Sequence, residues 1–252
     1  MLVQKLNDIV SSDQLNSKMH IWSCVLNESE LVVNNYYAVL SDDEKLRAAN
    51  FKLKEIRDRW ILARGLLRVL LAKYQQCVPQ EIEFRYNEFG KPFASSNSNG
   101  NNISFNLAHS NKLVVYIFTQ NISVGVDVEK VEELSDIVGV INLCFSDYEK
   151  KWFDKVPPAK RKEIFYSVWT SKEAYIKAIG KGFAFSPERI SLDINSYKEL
   201  FFKEIIGDKD FKKWKLISFE PRTDFISSIV VENDDFTIEH FKVDPHSIMA
   251  WF

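Results

Sequence analysis

The chain has 252 residues, of which 46% are apolar and 27% charged, and its formal net charge is −2. This composition supports the core of one large domain or of two smaller ones, and a charge so near neutrality argues against a dedicated nucleic-acid-binding protein. Its three cysteines lack metal-site spacing, and we find no signal peptide or membrane-length apolar run, so we expect a cytoplasmic protein with reduced thiols and no membrane partner.

The first half of the chain predicts strands around two helices. Ser41 precedes three acidic residues and starts one helix, and residues 60–74 carry leucines and isoleucines at helical spacing. Apolar or alternating runs predict strands at residues 21–26, 82–86, 103–107 and 113–119. Residues 87–92 form a turn, and residues 95–102 a polar loop that we expect to be mobile.

The second half contains a similar set of elements. Three helices are predicted, at residues 134–144, 147–153 and 159–179. Five strands are predicted, at residues 124–128, 190–194, 214–219, 225–231 and 236–241. Because each half offers a long helix with several strands, we predict an α+β fold of two similar lobes, residues 1–120 and residues 121–252.

The last of these helices carries charges at the edge of its apolar face. Its apolar residues recur at three- and four-residue steps, and Lys172 interrupts that stripe. Glu173 and Lys177 lie four residues apart and therefore share one side of the helix. They form either an ordinary surface ion pair or one wall of a site.

Two acidic residues alternate with valines in the strand that starts at Val124. Alternate side chains share a face of a strand, so Asp127 and Glu129 point the same way, opposite the core valines. Two carboxylates so placed repel each other unless a cation lies between them, and oxygen ligands favour Mg²⁺, Mn²⁺ or Ca²⁺. The alternative is a strand that is acidic on its solvent face.

Other polar segments have two interpretations each. His109 and Ser110 either bind phosphate or satisfy local hydrogen bonds. The turn at residues 90–92 offers backbone and a cation to an anion, or is simply solvated. The sequence lacks a GxSxG elbow, a Walker loop and a GxGxxG motif, so it supports neither a serine hydrolase triad nor a glycine-rich nucleotide cradle.

Four segments occur in a recognisable order. They read GKP at residues 90–92, NLAHS at 106–110, GVDVE at 125–129 and WTSKEAYIKAIGKG at 169–182. Together they resemble the motifs of the 4′-phosphopantetheinyl transferases of the surfactin-synthetase-activating (Sfp) type. The resemblance spans roughly residues 41–194, and Ala108 stands where the family usually has serine.

This resemblance implies a transferase that moves the 4′-phosphopantetheine arm of coenzyme A (CoA) to a serine of an apo acyl or peptidyl carrier protein and releases 3′,5′-ADP. It implies a pseudo-dimer of two α/β lobes with the active site in the cleft between them. Asp127, Glu129 and Glu173 are then expected to bind Mg²⁺, or Mn²⁺ in its place. Glu173 and Lys177 are expected to be catalytic, with Glu173 also a base for the carrier serine.

The resemblance also assigns residues to the donor and the carrier. Lys172 and Lys177 are expected to reach the phosphates of CoA. The residues expected around its 3′-phosphate and adenine are Gly90, Lys91, Pro92, His109 and Ser110, with Arg47 and Arg59 as basic contacts from the first lobe. The region at residues 131–153 is expected to receive the carrier, although its aromatic residues could instead be core.

Two other functions stay open at this point. One is a noncatalytic carrier-binding relative of the same fold, against which the complete set of carboxylates and lysines argues. The other is a metal-dependent phosphohydrolase that turns over CoA or nucleotides without a carrier. We expect a monomer whose partners are CoA and carrier proteins, and the sequence does not specify which carrier.

Overall fold

A computed structural model describes residues 15, 17–26, 29–95, 102–134, 136–195, 199–232 and 235–248. Its helices are α1 (Glu30–Ala38), α2 (Asp42–Ala49), α3 (Lys54–Gln75), α4 (Ile137–Cys144), α5 (Asp147–Phe153), α6 (Pro158–Ile179) and α7 (Pro245–Ile248). Its strands are β1 (Lys18–Val25), β2 (Phe84–Tyr86), β3 (Pro92–Ala94), β4 (Ile103–Ser110), β5 (Leu113–Gln120), β6 (Val124–Lys130), β7 (Ile190–Asn195), β8 (Glu199–Ile205), β9 (Lys215–Phe219), β10 (Phe225–Val231) and β11 (Thr237–Val243). No helix among the described residues is long and apolar enough to cross a membrane.

The first lobe is built on a four-stranded sheet in the order β11-β1-β5-β4. Strand β5 is antiparallel to both β1 and β4, whereas β11 lies parallel to β1. Helix α3 carries apolar side chains at helical spacing along its 22 residues, and it buries them in one core with residues of β1, β4 and β5. The short hairpin of β2 and β3 follows this helix.

The second lobe packs helix α6 on a three-stranded sheet in the order β6-β10-β9. The contact between α6 and β6 requires a glycine, because a Cβ atom at Gly125 would lie 2.1 Å from the carbonyl oxygen of Ala174. This close approach brings the strand that carries Asp127 and Glu129 against the helix that carries Glu173. Strands β7 and β8 form a separate two-stranded sheet.

A hydrophobic core joins the two lobes. It combines residues of β1 and β5 from the first sheet, such as Met19 and Ile117, with residues of β6 and β10 from the second, such as Val126 and Ile229. A polar contact adds to it, since the side-chain oxygen of Asn106 in β4 accepts the N–H of Val126 at 2.9 Å. Strands β4 and β6 therefore run side by side at the junction of the lobes.

The mixed α+β prediction is confirmed, and the pseudo-dimeric relation of the lobes stays a prediction. The division at residue 121 also stays a prediction, with one observation against it: β11, from the second half of the chain, joins the sheet of the first lobe. Helix α4 starts at Ile137 rather than at residue 134, and α1, β3 and β8 were not predicted. Residues 96–101 of the predicted polar loop lie outside the described residues.

Candidate active site

Asp127 lies at the centre of the site, between β6 and α6. The residue is buried, with 5% of its surface exposed, so this part of the strand is not an acidic solvent face. The Oδ1 atom accepts a hydrogen bond from Lys177 Nζ at 2.6 Å. The Oδ2 atom is buried and has no hydrogen-bond partner among the described residues. A buried carboxylate oxygen without a partner is costly, and it marks a position where a cation would bind favourably.

Glu129 lies two residues further along β6, and Ser110 of β4 contacts its carboxylate. The Oγ atom of Ser110 donates to Glu129 Oε2 at 2.8 Å and accepts the N–H of Lys130 at 3.1 Å. Trp169, on α6, lowers the pKa of the Glu129 carboxyl and lines the same cavity as Glu129. The contacts of Ser110 fix the orientation of the Glu129 carboxylate at the junction of β4 and β6.

Glu173 completes a cluster of three carboxylates. Burial raises the pKa of all three groups above their ordinary values. For Glu129 and Glu173 the second cause is the negative charge of Asp127, which shows that the three groups interact electrostatically. Lys177 opposes the rise of the pKa in each of them. One ammonium group thus compensates part of the charge of three acids.

Basic side chains stand next to this acidic cluster. Desolvation lowers the pKa of His109, and the nearby charges of Lys177 and Arg59 lower it further. Three basic groups from β4, α6 and α3 therefore act on the same region. An anion bound among them would relieve their mutual repulsion, and phosphate matches this arrangement of donors.

Two cavities open beside the site. One, of about 220 Å³, is lined by the turn at residues 89–92 and by Lys177 and Gly180 on α6. The other, of about 370 Å³, is lined by Glu129, Trp169 and apolar side chains that include Leu134 and Val140. One cavity thus adjoins Lys177 and the other adjoins Glu129, so there is space for a ligand beside each of these residues.

Lys172 does not lie in this site, and the prediction that it reaches the phosphates is wrong for this structure. Its side chain is 1% exposed and points to the other side of α6. There Nζ contacts Glu149 Oε2 at 2.5 Å and the carbonyl oxygens of Cys144 and Ile190, each at 2.7 Å. The carbonyl oxygen of Pro187, at 3.2 Å, is a fourth acceptor. Because four acceptors surround its three N–H groups, no donor remains for a phosphate.

Lys91 also has a different role from the expected one. Its Nζ donates to the carbonyl oxygens of Val124 at 3.2 Å and Ala178 at 2.9 Å, and burial lowers its pKa to about 8. Asn87 in the same turn donates to the carbonyl oxygen of Gly180 at 2.8 Å. The turn therefore clamps the hairpin of β2 and β3 to the C-terminal end of α6, and the structure does not support an ammonium committed to the 3′-phosphate.

The remaining predicted residues differ in position. Gly90 adopts a φ of 86°, which favours glycine, and it lines the smaller cavity together with Pro92. Ser110 contacts Glu129, as described above, rather than standing ready for a phosphate. Arg47 lies on α2 with its guanidinium 5.3 Å from the centre of the Trp60 ring, and it is not among the charges that act on His109.

The donor set fits a hard divalent cation. Asp127, Glu129 and Glu173 supply only carboxylate oxygens, and one of these is buried without a partner. As the side chains stand, however, no three Asp, Glu, His or Cys residues in the described part of the chain are arranged to hold a metal ion. Lys177 occupies one of the Asp127 oxygens. The three carboxylates therefore fit a divalent cation by the chemistry of their oxygen donors.

Sequence reasoning missed three supporting residues. Asn87 and Asn106 bond backbone groups across elements, and Glu149 accepts both Lys172 and the N–H of Leu192 at 2.9 Å. Only Glu149 carried a local signal, as the glutamate of a capping box with Ser146. The two asparagines act on partners far away in the sequence, which no local pattern reveals.

Comparisons with known proteins point to one family. The family model of the 4′-phosphopantetheinyl transferase superfamily matches residues 123–231, and a model of the N-terminal part of a 4′-phosphopantetheinyl transferase matches residues 22–121. The 4′-phosphopantetheinyl transferase HetI of Nostoc sp. is 32% identical over 170 residues, which cover 68% of this chain and 72% of HetI. The 4′-phosphopantetheinyl transferase gsp of Aneurinibacillus migulanus is 30% identical over 182 residues, which cover 71% of this chain and 73% of gsp.

Among solved structures, the holo-(acyl-carrier-protein) synthase of Bacillus anthracis in complex with CoA (3′,5′-ADP) matches 45% of this chain and 98% of its own. The TM-score is 0.36 and the identity 16%. The sequence matches show the family: the chain belongs to the 4′-phosphopantetheinyl transferase superfamily.

Proposed function

We propose that the protein transfers the 4′-phosphopantetheine arm of CoA to a serine of an apo acyl or peptidyl carrier protein and releases 3′,5′-ADP, as an enzyme of the Sfp type. The observation that carries this proposal is the contact between the acidic cluster and the basic groups around Lys177, at the junction of the two lobes. A pyrophosphate donor needs cationic groups for its charge and a base for the incoming hydroxyl. Both are present within one site.

The basic residues bind the donor. Lys177, on the rigid helix α6, faces the pyrophosphate, and His109 and Arg59 bind the 3′-phosphate from the first lobe. A lysine is suited to this task because its point charge tolerates a flexible anion. Gly90 and Pro92 form the wall of the smaller cavity, which we assign to the adenine end of CoA.

Asp127, Glu129 and Glu173 would hold Mg²⁺, or Mn²⁺ in its place. A bound divalent ion supplies Lewis-acid stabilisation of charge on the phosphate oxygens. Two serines support these ligands, since Ser110 orients Glu129 and Ser227 Oγ donates to the backbone oxygen of Asp127 at 2.6 Å.

Glu173 is the group that we assign as base. Its raised pKa makes it a better proton acceptor than an ordinary glutamate. It takes the proton of the carrier serine as the serine oxygen bonds to the β-phosphorus of CoA. The bond between that phosphorus and the bridging oxygen breaks, and the oxygen leaves with 3′,5′-ADP. Lys177 offsets the negative charge that develops on the leaving phosphate.

Helix α4 and the larger cavity are the proposed docking region of the carrier. Val138 and Leu143 on this helix are exposed, and Leu134 lines the cavity beside Glu129. In contrast, Phe145 and Phe153 are buried core residues and are not contacts. Within the predicted carrier-binding region of residues 131–153, we therefore keep only the part that precedes Phe145. The proposal also includes a monomeric enzyme in the cytoplasm.

The test is to combine the protein with CoA, Mg²⁺ and several apo-carriers and to measure the mass of each carrier. A mass increase equal to one phosphopantetheine arm, dependent on both CoA and Mg²⁺, is the expected result. Release of 3′,5′-ADP at the same rate without a carrier would instead identify a phosphohydrolase.

A further inference from the structure

Lys177 contacts the carboxylate of Asp127, one of the three acids that would hold a divalent cation under the proposed function. Its Nζ lies 2.6 Å from Asp127 Oδ1, the shortest approach of any cation to this carboxylate among the described residues. It also acts electrostatically on Glu129 and Glu173. One ammonium therefore interacts with all three carboxylates that would bind Mg²⁺.

The same side chain faces the basic region of the donor site. The charge of Lys177 lowers the pKa of His109 on β4, and Lys177 lines the cavity next to Gly90. Its side chain is 31% exposed, whereas that of Asp127 is 6% exposed. The ammonium thus stands at the boundary between a buried acid and an open cavity, and a lysine side chain has enough rotatable bonds to move between them.

We infer that Lys177 is an internal counter-ion that neutralises Asp127 while the site is empty and moves to the donor phosphates when CoA binds. Its departure frees Asp127 Oδ1 beside the unpartnered Oδ2 and so prepares the carboxylates for the metal ion. This inference rests on the proposed function, since it assigns the phosphates of CoA as the second partner of Lys177.

Two consequences follow from competition for one oxygen. In the CoA-free protein, a metal ion must displace Lys177 from Asp127, and this free-energy cost weakens metal binding. When CoA is bound, Lys177 has already left Asp127, so CoA strengthens metal binding beyond what its own phosphate oxygens contribute. By linkage, the metal must strengthen CoA binding by the same factor.

The experiment is a titration with Mn²⁺ alone, in which electron paramagnetic resonance detects the free ion, repeated at saturating CoA. Lys177→Met removes the ammonium at similar length. We expect this variant to bind Mn²⁺ about tenfold more tightly than the wild type without CoA, a difference of about 1.4 kcal/mol. We also expect CoA to enhance Mn²⁺ affinity about tenfold less in the variant than in the wild type.

Two further variants serve as controls. Lys177→Arg keeps a cation beside Asp127, so its Mn²⁺ affinity should stay near that of the wild type. Lys130→Met removes a positive charge from the same strand, where Lys130 pairs with Glu132, and should change Mn²⁺ affinity by less than about twofold because exposed charges are screened. If Lys177→Met proves unstable by circular dichroism, Lys177→Gln repeats the measurement.

Equal or weaker Mn²⁺ binding by the folded Lys177→Met or Lys177→Gln protein without CoA would overturn the inference. A smaller gain that Lys130→Met reproduces would overturn it as well, because general electrostatics would then explain it. The titration involves neither a carrier nor turnover. A failure to modify carriers would therefore contradict the proposed function while leaving the measured competition intact.

Discussion

The three carboxylates of the site differ in what holds them. Asp127 accepts a hydrogen bond from Lys177, and Glu129 accepts one from Ser110. For Glu173, the described part of the chain provides only electrostatic partners. A carboxylate without fixed hydrogen bonds keeps its lone pairs available for a proton. This difference supports a base role for Glu173 that the other two acids do not share.

The first prediction separates ligand from base. Asp127→Asn should recover much of its lost rate at high Mn²⁺, because excess metal compensates for a weakened ligand. Glu173→Gln keeps one ligating oxygen but cannot accept a proton, so it should stay about 10²–10⁴-fold slow at saturating metal. The measurement is the rate of carrier modification against metal concentration for both variants. Full recovery of Glu173→Gln at high metal would leave Glu173 a ligand only.

The second prediction concerns His109 and Lys91, to which the sequence assigned one task. His109→Ala should weaken CoA binding more than dephospho-CoA binding, by about tenfold or more, because a charge-assisted bond to the 3′-phosphate exists only with CoA. Lys91→Met should weaken both ligands alike, because its Nζ bonds the carbonyl oxygens of Val124 and Ala178.

Calorimetric titration of both ligands gives the two ratios. Lys91→Met is the matched control, since it removes a charge from the same region without touching the assigned contact. Equal losses for CoA and dephospho-CoA in His109→Ala would place the 3′-phosphate elsewhere.

At the scale of elements, α6 presents Lys172 and Lys177 on two different sides. Lys177 lies five residues after Lys172, which turns it by about 140° around the helix axis. Lys172 falls on the apolar stripe, and the structure buries it there against α5 and β7 through Glu149. Helical periodicity already placed Lys172 on the buried face, and only the resemblance assigned it to the phosphates.

The third prediction tests this buried pair. Lys172→Met should lower the free energy of unfolding by about 3–5 kcal/mol, because the Glu149 carboxylate would remain buried without its cation. The double variant Lys172→Met/Glu149→Leu should regain part of this loss. Urea unfolding measures both values. A loss as large in the double variant as in the single one would show that the charge of Glu149 is not the cause.

Local patterns predicted those elements whose signal is local. The capping serine before α2 and the long apolar stripes of α3 and α6 were read correctly. Helix α1 was missed because its buried residues include Val32 and Val33, which are β-branched and weaken a helical pattern. Motifs in the sequence indicated the three carboxylates of the candidate site. They did not indicate Asn87 and Asn106, because the partners of these residues are distant in the sequence.

At the scale of the whole molecule, two strands that are far apart in the sequence, β1 and β11, pair in one sheet. Strand β1 lies between β5 and β11, and Lys18 stands opposite Thr237 in the parallel pair. No pattern in a single sequence predicts a pairing over such a separation, and the sequence analysis did not include it. The four-stranded sheet of the first lobe depends on this contact between β1 and β11.

A buried histidine lies at that contact. His20 in β1 is 0% exposed, and its Nδ1 lies 2.8 Å from the hydroxyl of Tyr74. This hydroxyl accepts the Nε1–H of Trp22 at 2.9 Å, so its own proton is directed to His20 Nδ1. The remaining ring proton then sits on Nε2, which lies 3.5 Å from Glu239 in β11. Burial lowers the pKa of His20 to about 4, and Glu239 opposes this only partly.

The last prediction follows from this neutral histidine. In the unfolded chain His20 has its ordinary pKa of 6.5 and is protonated below that pH. In the folded chain it stays neutral until the pH reaches about 4. The free energy of unfolding should therefore fall as the pH drops below 6.5. The part of this loss that comes from His20 should reach about 3 kcal/mol by pH 4. His20→Gln has no titrating ring, so its free energy of unfolding should change less between pH 7.5 and pH 4.5. Because both proteins share every other titrating group, the difference between their slopes isolates His20. Urea unfolding at intermediate pH values gives these slopes, and parallel slopes for the two proteins would show that His20 is not the group that weakens the sheet in acid.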